Sequence, residues 1–225
     1  NFGLNTRHMV AMDEPTGMAF IQVDDAGDNC IVLNAGANGV FTRERFESIL
    51  KDFIAGDLLV LQNEINQLDV LIDLAKSKGL LVALNPSPFD EKIQKLPLAQ
   101  LDYLVLNEIE GGHITSTHDP KTILSQLAQR FPKTCVVLTL GGEGVMAQRG
   151  HETVHQAALK IDVVDTTAAG DTFLGFFCGA MQEGQTLAYA LKRANAAAAL
   201  CCTRAGASSS IPTQAEVDDF LKQSA

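Results

Sequence analysis

The sequence predicts an α/β fold in which a mostly parallel sheet is covered by helices on both faces, and three observations predict it. From Asp57 onward, short runs that are apolar at every position alternate with stretches of helical period. Strands apolar throughout are buried on both faces, which is the mark of a parallel sheet between helix layers. Each run also closes in polar, glycine-containing or proline-containing residues, as strands do when their carboxyl ends form a ligand crevice.

The elements follow in order. Thr16–Val23 alternates in character, turns over Asp24-Asp-Ala-Gly-Asp28 and resumes as Asn29–Leu33, which predicts an antiparallel hairpin. Strands are predicted at Leu58–Leu61, Leu80–Leu84, Tyr103–Leu106 and Cys135–Leu140, with helices at about Gln67–Lys78 and Pro120–Arg130 between them. The strand-end loops are Gln62-Asn-Glu64, Asn85-Pro-Ser-Pro88, Asn107-Glu-Ile-Glu110 and Thr139-Leu-Gly-Gly-Glu-Gly144. Val145–Gln148 and His151–His155, joined through Arg149-Gly150, predict a hairpin at the sheet edge. A helix over Asp171–Gln182, apolar nearly all round and with Gly175 and Gly179 four apart, is expected to be buried. Helices over Thr186 to about Cys202 and over Glu216–Lys222 complete the chain.

The 225 residues, 46% hydrophobic and 20% charged, suit one globular unit with a large core. A formal charge of −10 without any Lys/Arg-rich run argues against nucleic acid as a partner, since backbone phosphates are bound by cationic side chains. No apolar stretch approaches the ~18 residues of a membrane span, and Asn1–Val10 lacks the apolar core of a secretory signal, so a cytoplasmic location is expected. Five cysteines, at 30, 135, 178, 201 and 202, show no C-x-x-C pair and read as reduced thiols.

The most informative segment is Asp165-Thr-Thr-Ala-Ala-Gly-Asp171, which opens an apolar helix. Ala168, Ala169 and Gly170 let backbone N–H groups crowd at the mouth of that helix, where the dipole and unpaired donors favour an anion such as phosphate. Asp171, on the first turn, sets a carboxylate beside that anion, suited to taking a proton from an incoming hydroxyl. Capping alone also accounts for an aspartate at a helix start. Asp165, six residues upstream, with Thr166 and Thr167 between and no loop side chain bulkier than alanine among the apolar ones, adds weight to the phosphate reading.

Rival motifs were weighed. His151-Glu-Thr-Val-His155 matches H-E-x-x-H literally, but that zinc chemistry needs a helix, where residues four apart lie ~6 Å from one another, against about 13 Å along a strand. Gly150 and the β-branched Thr153 and Val154 favour a strand. Neither G-x-x-x-x-G-K-[ST] nor a helix-opening G-x-G-x-x-G occurs, and there is no G-x-S-x-G elbow.

Taken together, the segments Thr16–Val23, Asn34-Ala-Gly-Ala-Asn38, Ala83-Leu-Asn-Pro86, Asn107-Glu-x-Glu110, Thr139-Leu-Gly-Gly-x-Gly144, Asp165–Asp171, Ala196–Ala199 and Thr203-Arg-x-Gly206 make the chain resemble the ribokinase family of carbohydrate kinases. The resemblance implies a three-layer α/β core over residues 1–15 and 34–225, with residues 16–33 as part of a small β lid. It implies ATP-dependent transfer of the γ-phosphoryl group to a primary hydroxyl, ribose to ribose 5-phosphate first, or to another sugar, a sugar phosphate or a nucleoside; a silent nucleotide-binding fragment is the further alternative. Asp171 is then the base and Ala168, Ala169 and Gly170 the anion hole.

The resemblance also places ATP along Asn107, Thr139, Leu140, Gly141, Gly142, Glu143, Gly144, Gly170, Asp171 and Asn195, and the sugar on Glu64 and Asp171. Magnesium is implied through water at Asn107 and Glu110. Potassium is implied at Asp165, Thr167, Cys201, Arg204, Gly206 and Ser210, mostly through backbone oxygens. A homodimer through the lid is implied for the complete protein, because open strand edges seek partners. The family's first strand and its G-G-x-x-x-N segment do not occur in these 225 residues, so about the first quarter of the family's fold is missing, either cut away or truly lacking in the protein.

Overall fold

A computed structural model describes residues 3–23 and 29–223. Its larger sheet has six strands in the order β3-β4-β5-β6-β7-β8: β3 (Leu58–Gln62), β4 (Leu81–Asn85), β5 (Tyr103–Asn107), β6 (Cys135–Thr139), β7 (Val145–Arg149) and β8 (Glu152–Gln156). The first four are parallel, and β7 and β8 return antiparallel as the edge hairpin. A separate antiparallel pair, β1 (Met18–Val23) and β2 (Asn29–Asn34), precedes it with Phe20 opposite Val32. The turn expected at Asp24–Asp28 lies outside the described residues.

Strand alternation sorts the core into two layers. Leu61, Val82, Leu84, Leu104, Leu106, Val136 and Leu138 face one way and are buried against α1 (Arg43–Leu50), α2 (Leu68–Ser77), α3 (Glu108–Thr115) and α4 (Pro120–Arg130). Ala83, Tyr103, Val105, Cys135, Val137, Val145 and Ala147 face the other way, against α5 (Ala169–Gln182) and α6 (Leu187–Cys202). Outside them, α7 (Gln214–Gln223) seats Val217 on Ala196 and Ala197 of α6. This is the three-layer α/β architecture. Burial of runs apolar at every position explains why β4 to β6 form its centre.

Three expectations need correction. Asn107-Glu-Ile-Glu110 is the opening of α3 rather than a loop: the Asn107 side chain accepts the Glu110 amide while Glu110 accepts the Asn107 amide, each at 2.9 Å, a reciprocal cap that nucleates the turn. Helix α1 was not anticipated, although Phe46, Ile49 and Leu50 stand at helical spacing behind the Thr42 cap. Helix α5 is not buried all round. Asp171, Gly175 and Gly179 form an exposed stripe on it, and a Cβ at either glycine would meet nothing within 4 Å. Glycine provides no apolar surface to cover, so burial stops at Phe173, Leu174, Phe177 and Cys178 on the opposite face.

His151 immediately precedes strand β8 and His155 lies within it, so the spacing of four is that of a strand, and among the described residues no group of three His, Cys, Asp or Glu is placed to hold a metal ion. Cys135, Cys178, Cys201 and Cys202 are free thiols, with burial pushing Cys135 and Cys178 up to about 12. The Cys30 side chain falls outside the described residues. Among the described residues no helix is long and apolar enough to cross a membrane.

Candidate active site

The carboxyl ends of β3, β4, β5 and β6 open into a cleft of about 310 Å³ that is closed on one side by the start of α5. Glu64, Asn107, Glu110, Thr139, Ala168, Gly170 and Asp171 line it, so seven of the residues singled out in the sequence meet there. A parallel sheet makes this inevitable: every strand ends on the same side, and whatever polar residues follow the apolar runs face one another. Glu64 also borders a neighbouring cavity of about 480 Å³ that contains Asn63, Asp90 and Lys92.

The start of α5 is a tight turn with open amides. Ala168 holds φ 62° and ψ 8°, a left-handed conformation that turns the chain sharply into the helix without a capping side chain. Among the described residues, the amides of Ala168, Gly170 and Asp171 have no backbone acceptor, whereas the Ala169 amide donates to the Thr166 carbonyl at 3.2 Å. Of the expected trio, Ala168 and Gly170 keep amides without a backbone acceptor and Ala169 donates within the turn, while the Asp171 amide stands open beside them. The dipole of a 14-residue helix adds its positive end at the same point.

Asp171 is exposed in the cleft, and its Oδ1 accepts a hydrogen bond from Gln62 Nε2 at 2.9 Å. Across the cleft, Glu110 is only 5% exposed. Burial pushes its carboxyl above the usual range, against the opposing pull of the Asn107 amide and the Ser87 hydroxyl. A buried carboxylate that faces a cleft and, among the described residues, has no ion pair is chemically matched to a hard divalent ion held through water. Direct ligation suits it less, since Glu110 Oε2 and Asn107 Oδ1 already serve the cap of α3.

The remaining candidates divide into two groups. Beyond Thr139, buried Leu140 donates to the Gly144 carbonyl at 2.8 Å, and Gly141–Glu143 makes one tight helical turn that exposes Gly141, Gly142 and Glu143. Asn195, on α6, donates from Nδ2 to the Ala157 carbonyl at 2.8 Å, which ties the helix to the segment after β8.

The second group gathers around Asp165. Its Oδ1 accepts the Thr167 amide and its Oδ2 the Gly206 amide, both at 2.9 Å, while Cys201 Sγ lies 3.6 Å from the Thr167 carbonyl and 3.2 Å from Ser210 Oγ. The Arg204 side chain points outward to Glu216 at 2.6 Å. The fold thus assembles Asp165, Thr167, Cys201, Gly206 and Ser210, an oxygen-rich corner that adjoins the turn at the start of α5.

The Thr167 hydroxyl first, then the Gly206 and Thr167 amides, hold Asp165 down to about 2 from an ordinary 3.8. Since the unfolded chain takes up the proton first, the carboxylate's contribution is complete above its ordinary value and disappears as pH falls toward 2. In melting experiments, the difference between the wild type and Asp165→Asn is expected to be constant near pH 6 and to shrink steadily from pH 4 to pH 2. A difference that stays constant through that window would show that these hydrogen bonds do not hold the loop.

Sequence reasoning passed over Gln62, Asn85, Ser87 and Phe173, which also line the cleft. The signal for the first three was their place immediately after the apolar runs; nothing marked Phe173, which is a core residue of α5 that reaches the cleft floor.

Comparison with known proteins places the chain in a family. The chain is 34% identical to a ribokinase of Haemophilus influenzae over 98% of its own length and 74% of that protein's. Among solved structures it is similar to a ribokinase of Thermotoga maritima, with a TM-score of 0.80 and 34% identity over 95% of this chain and 72% of the other. It is likewise similar to an Arabidopsis thaliana ribokinase complexed with ribose and ATP, with a TM-score of 0.80 and 30% identity over 93% of this chain and 70% of the other. Residues 2–214 match the family model described as pfkB family carbohydrate kinase, and the chain belongs to that family.

Proposed function

We propose that the protein transfers the γ-phosphoryl group of ATP to a primary hydroxyl of a small sugar, ribose foremost, with Asp171 as the general base. The observation that carries the reading is the juxtaposition at the start of α5: a carboxylate exposed in the cleft, on the same turn as three amides without backbone acceptors. Support for ribose comes from the relatives, which are ribokinases, one of them complexed with ribose and ATP.

In this reading Asp171 takes the proton of the attacking hydroxyl as the new O–P bond forms. The amides of Ala168, Gly170 and Asp171 hold the charge on the transferring oxygens without solvent having to reorganise. Glu64, bordering both cavities, contacts the sugar. The turn Thr139–Gly144 and Asn195 border the nucleotide. Glu110 and Asn107 would hold magnesium through water, and the ion would supply positive charge at the phosphates. Asp165, Thr167, Cys201, Gly206 and Ser210 would hold potassium, which orders the adjoining turn; Arg204 contributes through its backbone, its side chain being engaged elsewhere.

The lid pair β1–β2 leaves Met18, Phe20 and Val32 on one face between 46% and 56% exposed and Leu33 on the other 54% exposed, on a two-stranded sheet with open edges. Such a sheet is marginal alone, and a homodimer through it is part of the proposal.

ADP release coupled to a reporter enzyme, with ribose, deoxyribose, fructose, fructose 6-phosphate and adenosine as acceptors, tests the assignment. Ribose is expected to give the highest kcat/KM, and rates in potassium buffer are expected to exceed those in sodium-only buffer. A different preferred acceptor reassigns the substrate, release with none of them removes the transferase reading, and equal rates in the two salts remove potassium.

A further inference from the structure

We infer that Gln62 is a positioning residue for Asp171, the last member of a polarised amide chain that starts at a backbone carbonyl; the inference rests on the reading of Asp171 as the base. Gln62 and Asn85 are directly opposite residues in the β3–β4 ladder. Strand alternation puts them on the same face as Ala83, the face that α5 covers. Asn85 Nδ2 donates to the Val105 carbonyl of β5 at 2.9 Å. Gln62 Nε2 then donates to Asn85 Oδ1 at 3.2 Å and to Asp171 Oδ1 at 2.9 Å.

The direction of this chain is forced. The Val105 carbonyl only accepts, so the Asn85 NH2 must face it and the Asn85 oxygen must face Gln62. That oxygen in turn requires the Gln62 NH2, whose other hydrogen reaches Asp171. Neither amide gains by flipping. Asp171 consequently always meets a donor at Oδ1, which fixes its rotamer, and Oδ2 remains available for the proton of the acceptor hydroxyl. The other carboxylates lining the cleft are Glu64 after β3 and Glu110 on α3; among the described residues no hydrogen bond joins either to Gln62 or Asp171. Three neighbouring strand ends thus act as a rigid mount for a side chain carried on a separate helix.

The test compares Gln62→Leu, Gln62→Glu and Asp171→Asn in the ADP-release assay, with kcat, KM for both substrates and the pH dependence of kcat measured for each, and with thermal melts alongside. Gln62→Leu is expected to lower kcat by about 10- to 100-fold while KM for ATP changes less than about threefold. Gln62→Glu, nearly isosteric, places a second carboxylate against Asp171 and moves the acidic limb of the kcat profile to higher pH; it serves as the decisive variant if the leucine variant does not fold.

Wild-type kcat and an unmoved limb in Gln62→Glu overturn the inference. A fall in kcat that tracks a fall in melting temperature, again with the limb unmoved, also overturns it by assigning Gln62 to strand-end packing. If Asp171→Asn itself stays active, the reading of the base fails instead; if Asp171→Asn is inactive and both Gln62 variants behave as wild type, only the positioning role fails.

Discussion

Asp171→Asn is expected to lower kcat by about three orders of magnitude while leaving KM for ATP within a few-fold of the wild type. The magnitude is that of a general base removed from a reaction in which the attacking hydroxyl must lose its proton, about 10²- to 10⁴-fold. The substitution is informative because it is isosteric: the asparagine Oδ1 still accepts the hydrogen bond that Gln62 Nε2 makes to Asp171 at 2.9 Å, so the side chain stays mounted and only its basicity is lost. The amides at the start of α5 are untouched, which is why nucleotide binding is expected to persist. The measurement is steady-state ADP release with saturating sugar, together with ATP affinity from equilibrium titration. A variant that keeps kcat within tenfold would remove Asp171 from the chemistry. One that loses ATP binding along with turnover would make it a structural part of the anion site.

The second large effect concerns the fold beside the nucleotide turn. Gly144 holds φ 103° and ψ −130°, a combination that side-chain-bearing residues rarely adopt. A Cβ built there would stand 2.1 Å from the Gln156 carbonyl oxygen, 2.6 Å from the Ala158 nitrogen and 2.7 Å from the Ala157 carbonyl carbon. All three are backbone atoms at the end of β8 and cannot rotate away. Gly144→Ala is therefore expected to cost about 3 kcal/mol or more from strain and overpacking combined, which for a chain of this size lowers the melting temperature by roughly 6–12 °C. Gly142→Ala, two residues earlier, is the control: a Cβ there meets nothing within 4 Å, and its melt is expected to stay within about 2 °C of the wild type. Equal melts for the two variants would contradict the close approach of the turn to β8. Since the Ala157 carbonyl also accepts from Asn195, displacement of that segment is expected to weaken ATP binding in Gly144→Ala as well.

Much of the molecule was legible before any coordinates. The runs at β4, β5 and β6 were apolar at every position, and a strand of that kind has only one stable environment, between two helix layers. The caps and periodicity of α4 and α6 fell within a residue of the observed bounds, because Asp119 and Thr186 announce their helices locally. Where local signals were weak, the reading failed. In α3 two adjacent glycines, Gly111 and Gly112, mask the helix, and what nucleates it is the reciprocal cap between Asn107 and Glu110, visible in sequence only as two polar residues after a strand. The exposed glycine stripe of α5 was misread as buried because composition records how apolar a helix is and not which neighbour covers it.

The sequence by itself determined the α/β class, the order of its strands along the chain and the loop of small residues that opens α5 beside Asp171, since each depends on side-chain size and period over a few neighbouring positions. Only the tertiary structure decided that Ala169 closes the turn while Asp171 adds an open amide, that Asp165 meets Gly206 across 41 positions, and that Gln62 reaches Asp171 across 109. Hydrogen bonds depend on direction and on tenths of an ångström. Partners so far apart in the chain acquire both only when the sheet and its helices have packed.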